Sequence, residues 1–91
     1  MMTEIFIKEK KITKNKNVQN KDLVIYNDDI NTFEHVINSL IKVCKHKLIQ
    51  AEQCTWIIHY NGKCTVKKGE YNKLKPMKDA LCNRGIDAKI H

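Results

Sequence analysis

The chain has 91 residues, 42% of them hydrophobic, and a formal net charge of +7. That length gives room for one domain with a small core, and no run approaches the ~18 apolar residues of a membrane span. The charge raises nucleic acid or an acidic membrane surface as partners. However, six lysines and two glutamates put +4 on residues 1–21 and leave +3 on residues 22–91.

Residues 1–21 alternate lysine with Asn15, Asn17, Gln19 and Asn20, and Ile5, Phe6 and Ile7 form their only apolar cluster. Such a segment buries too little to offset its ordering entropy and is expected to be a flexible basic tail. Its start lacks the basic stretch and sustained apolar run of a secretory signal. With single cysteines at 44, 54, 64 and 82, that predicts a soluble, cytoplasmic protein with free thiols.

Residues 22–91 are expected to form the folded domain. Leu23 to Tyr26 read as a buried strand. Asn27, Asp28 and Asp29 stop it, because their side chains bond nearby backbone and tolerate tight turns. Asn31 or Thr32 then caps a helix from about Thr32 to His46. Its apolar face is Phe33, Val36, Ile37, Leu40, Ile41 and Cys44. A second helix runs from Leu48 to Tyr60, apolar over much of its circumference, and Gly62 ends it. Cys64 to Val66, between lysines, reads as a protected edge strand broken by Gly69. Tyr71 to Cys82 has helical spacing with Pro76 awkwardly inside, in an early turn or at a kink, and Gly85 ends it. Ile86, Ala88 and Ile90 alternate with polar residues as a half-buried strand. The order β-α-α-β-α-β predicts an α+β fold with helices on one face of a small sheet.

Few constellations here carry chemistry. Structural zinc needs close ligand pairs, and the tightest pair is Cys44-Lys45-His46. No cysteine stands at a helix start or sharp turn that would activate it as a nucleophile. No metal, cofactor or catalytic group is expected. His59 closes an apolar run, where the plain reading is a boundary histidine. The functional reading sets His59, Asn27 and Asp28 around one cation. A neutral imidazole nitrogen, an amide oxygen and a carboxylate all accept hydrogen bonds from an ammonium group, and Phe33, Val36 and Ile58 would wall a pocket beside it.

Val24-Ile25-Tyr26-Asn27-Asp28-Asp29, then Glu34 and Val36, Ala51-Glu52-Gln53, Ile58-His59-Tyr60 and Gly62-Lys63 stand in an order and spacing that resemble ClpS. This is the adaptor family that delivers N-degron substrates to a ClpAP-type protease. The resemblance covers about Asp22 to Ile90. It implies a three-stranded antiparallel sheet covered by three helices on one face, similar to the ribosomal stalk protein C-terminal domain. It implies that Asn27 and His59, assisted by Asp28, bind the substrate's free α-amine. It also implies a side-chain pocket of Asp29, Asn31, Phe33, Val36, Thr55, Ile58 and Ile86.

There are departures. Asn31-Thr32-Phe33 stands where the family has Thr-Pro-Met, whose Met is a gatekeeper against β-branched side chains. Thr55 stands where another Met is frequent, which predicts a more polar wall. The Cys64–Ile86 segment is also shorter than in well-known members.

Two functions fit these features. One is a non-enzymatic, monomeric bacterial adaptor that binds N-degron peptides and a ClpA- or ClpC-type AAA+ unfoldase, with no nucleic acid or membrane as partner. The other is a small basic nucleic-acid- or ribosome-associated module. The low charge of residues 22–91, and the reading of Phe33 and Trp56 as members of apolar helical faces, favour the adaptor.

Overall fold

Leu23, Val24 and Ile25 are buried, as a strand flanked on both sides should be. In the computed structural model, which describes residues 19–91, they lie in β1 (Lys21–Tyr26), the middle strand. There follow α1 (Phe33–Cys44), α2 (Leu48–Asn61), β2 (Lys63–Gly69), α3 (Tyr71–Asn83) and β3 (Ala88–Ile90). The sheet is antiparallel with strand order β2-β1-β3. This is the expected β-α-α-β-α-β order and α+β class. The tail expected over residues 1–21 lies, for residues 1–18, outside the described residues. The strand itself begins at Lys21, which pairs with Gly69.

Alternation along β1 sends Leu23 and Ile25 into the core and Val24 to the opposite face. The core joins them to Val66 and Ala88 from the sheet, Val36, Leu40 and Cys44 from α1, Ala51 and Ile58 from α2, and Leu74 and Leu81 from α3. Complete burial of Leu23, Ile25, Leu40, Leu74 and Leu81 contributes on the order of 2 kcal/mol each.

Three boundaries differ from the sequence reading, each for a local reason. α1 ends at Cys44 rather than His46, because Lys45 takes the left-handed conformation at φ 62°. His46 then tucks under the sheet, where its Nε2 donates to the Val66 carbonyl at 2.7 Å. Gly69 closes β2 instead of breaking it. A shift in register at Leu23/Val24 lets Val66 and Lys67 both oppose Leu23, as in a β-bulge, and turns Lys67 to donate to the Cys44 carbonyl. β3 begins at Ala88 rather than Ile86, because the Ile86 amide is spent on the Leu81 carbonyl at 3.0 Å, past the turn at Gly85.

Pro76 lies inside a continuous α3. Trp56, placed from the sequence in an apolar helical face, stands on the outer side of α2. α2 buries Ala51, Thr55 and Ile58, while Trp56, Ile57 and Tyr60 face outward. A helix with apolar residues on more than one face does not announce which stripe it buries.

Candidate functional site

The Asn27–Asp29 corner is pinned from both sides. The Tyr26 amide donates to the Asp87 carbonyl at 2.9 Å, and the Asn27 amide to the Gly62 carbonyl at 2.8 Å. The second bond is what brings Asn27 beside the end of α2, three residues beyond His59. The central strand therefore delivers the corner into the gap between α2 and the α3–β3 connection.

Within the corner, Asp28 organises the chain. Its carboxylate accepts from the amides of Asn31 (2.9 Å) and Ile30 (3.0 Å) and from the Asn31 side-chain nitrogen (2.8 Å). These bonds, led by the Asn31 amide, hold its pKa below the ordinary 3.8, so it stays ionised. Asn31 spends its second side-chain hydrogen on the Gly85 carbonyl at 2.9 Å, joining the corner to the far loop. Two further bonds fasten that loop to α1. His35 Nε2 donates to the Arg84 carbonyl at 2.8 Å, and Arg84 Nε donates to Ser39 Oγ at 2.7 Å. Ile86 is thereby held as a buried wall.

These contacts enclose a cavity of about 300 Å³. Its lining contains every residue named from the sequence: Asn27, Asp28 and His59, and Asp29, Asn31, Phe33, Val36, Thr55, Ile58 and Ile86. Ile25, Tyr26 and Thr32 also line it; Tyr26 and Thr32 adjoin residues named from the sequence, and Ile25 lies one step further back on β1. Thr32 caps α1, its hydroxyl accepting the His35 amide at 3.1 Å. A second hollow is lined by Asp22, Val24, Tyr26, Ile57, Lys63, Cys64, Thr65 and His91. None of the corner residues Asn27–Asp29 takes part in it.

Side-chain chemistry divides the first cavity. Val36, Ile58, Ile86 and the partly buried Phe33 give an apolar floor and walls. Thr55 adds less polarity than the sequence implies, because its hydroxyl donates to the Ala51 carbonyl at 2.8 Å within α2. At the mouth stand Asn27, the Asp28 carboxylate and His59. The His59 ring has no hydrogen bond among the described residues. Aromatic neighbours hold it instead, edge-on to Phe33 (centroids 5.1 Å apart) and to Tyr60 (4.9 Å).

Cys44 lies in the core and Cys54 and Cys64 pack against it, while Cys82 is exposed. Burial pushes the Cys44 thiol up to about 11 and the Cys64 thiol up to about 12, the latter also through the neighbouring Cys54. Both stay protonated and poor as nucleophiles at neutral pH.

Comparison with protein families matches residues 15–88 to the ATP-dependent Clp protease adaptor protein ClpS. The chain belongs to the ClpS family. Comparison with curated proteins gives no match. ClpS is an adaptor family rather than a catalytic one, and its partners are a Clp unfoldase and the substrates brought to it. No described helix is long and apolar enough to cross a membrane.

Proposed function

We propose that this member of the ClpS family binds N-degron substrates by the free α-amine and a bulky hydrophobic first side chain, and delivers them to a ClpA- or ClpC-type unfoldase. One observation carries the reading. Three acceptor groups, from Asn27, Asp28 and His59, rim a cavity whose interior is otherwise mostly apolar. An α-ammonium has three donors, each needing an acceptor once water is displaced. The Asp28 carboxylate, already fixed by the corner, supplies negative charge without further ordering. The adjoining cavity takes one large apolar side chain, whose burial contributes about 1.5–3 kcal/mol. The role is recognition and hand-off, as expected of an adaptor family.

Peptides differing only at the first residue test this in a fluorescence polarisation titration. Leu, Phe, Tyr or Trp at that position should bind at least about tenfold more tightly than Ser or Asp, as the burial difference requires. Binding that ignores the first residue would refute it.

A further inference from the structure

The outer face of α2 carries a stripe of large apolar side chains leading to the cavity mouth. Trp56 is 49% exposed and Tyr60 71%. Their rings stack, with centroids 5.2 Å apart and planes 4° from parallel. Phe33, which lines the cavity, meets Trp56 edge-on at 4.9 Å. An unbroken aromatic surface therefore runs from the cavity wall over the rim, although neither Trp56 nor Tyr60 lines the cavity itself.

Resting on the peptide-binding reading above, we propose that Trp56 and Tyr60 form a second subsite, which takes an aromatic side chain at the third position of the bound peptide. The geometry selects that position. Successive side chains of an extended peptide point to opposite faces, and residues two apart lie about 6.8 Å from each other on the same face. With the first side chain in the cavity, the second points to solvent and the third returns to the protein. Trp56 stands next to the cavity wall, its ring centroid 4.9 Å from that of Phe33, so a side chain one such step from the cavity comes within reach of the Trp56–Tyr60 stack. Aromatic rings favour edge-to-face or offset partners, and the exposed side of the Trp56–Tyr60 stack offers both.

Three peptides beginning with Leu separate the possibilities by fluorescence polarisation: Leu-Ser-Phe, Leu-Phe-Ser and Leu-Ser-Ser, with identical remaining sequence. Leu-Ser-Phe should bind about two- to tenfold more tightly than Leu-Ser-Ser, the size of one aromatic pair. Leu-Phe-Ser should show no such gain. The gain should vanish in W56A and in Y60A, both at exposed positions that the core does not need. The proposal is overturned by equal affinity of Leu-Ser-Phe and Leu-Ser-Ser, by a gain for Phe at the second position instead, or by a gain that survives both substitutions. It is also overturned if the substitutions weaken all three peptides equally, because the rings would then serve only to orient His59. If none of the three binds, the peptide-binding reading falls together with this subsite. If they bind without regard to the third residue, only the subsite falls.

Discussion

Asn31 holds the two sides of the cavity together through one amide group, bonded to Asp28 and to the carbonyl of Gly85. Asn31→Ala removes both bonds and is expected to cost about 1–3 kcal/mol of stability in urea denaturation. Affinity for bulky first residues should fall with it, because Ile86 loses its anchor. Asp28 gives a pH signature. Its folded-state pKa is lowered, chiefly by the Asn31 amide, so its contribution to stability is fully present above pH 3.8. That contribution disappears as pH falls through the lower folded value. Denaturation curves of the wild type and Asp28→Asn should accordingly converge only below pH 3.8; convergence near pH 5 would mean that the corner bonds do not hold the charge. At the cavity wall, Phe33→Met with Thr55→Met should change the order of preference among Leu, Phe, Tyr and Trp. The cause would be volume and shape rather than polarity, since the Thr55 hydroxyl is already occupied. An unchanged order in peptide titrations would remove these two positions from selectivity. That Asn27, Asp28 and His59 line one cavity was legible because Asn-Asp-Asp and a helix-ending His carry a spaced motif. The Asn31–Gly85 bond was not, because it joins positions 54 residues apart and depends on tertiary placement.

Helix and strand identities were readable from periodicity, but their ends and the buried face of α2 were not. A lysine in the left-handed conformation ends α1 where glycine is the usual signal, so the sequence ran the helix on to His46. α2 is apolar over much of its circumference, and only the packing of Ala51, Thr55 and Ile58 against the core decides that Trp56 faces out. α3 shows the converse. Pro76 has no amide hydrogen, which leaves the Asn72 carbonyl without its partner one turn on, yet the helix continues because Leu74 and Leu81 are wholly buried on either side of it. Pro76→Ala should therefore stabilise the fold by about 1–3 kcal/mol. Calorimetry should register this as a rise in Tm of roughly 4–8 °C per kcal/mol for a domain of this size. A fall in Tm would mean that the proline ring packs usefully at that position.

The described strands and helices, and every residue that lines the cavity, lie within residues 19–91. A chain beginning at Gln19 is therefore expected to bind N-degron peptides with unchanged affinity. The resemblance to ClpS implies that an N-terminal extension is engaged by the unfoldase during hand-off. The same chain should thus still associate with the unfoldase but fail to speed degradation of an N-degron substrate. A Gly/Ser-rich replacement of equal length, with a span of about 25 Å that can extend further, should largely restore delivery. Full delivery by the shortened chain would remove the extension from the mechanism. The central claim is narrower and rests on the α-amine. The deciding measurement is fluorescence polarisation of one Leu-initiated peptide, with its N-terminus free or acetylated, against the wild type, Asn27→Ala and His59→Ala. Acetylation and each substitution should weaken binding by about 30-fold or more, the scale of a lost partner to a buried charge. Equal binding of the free and acetylated peptides by the wild-type protein would contradict the account.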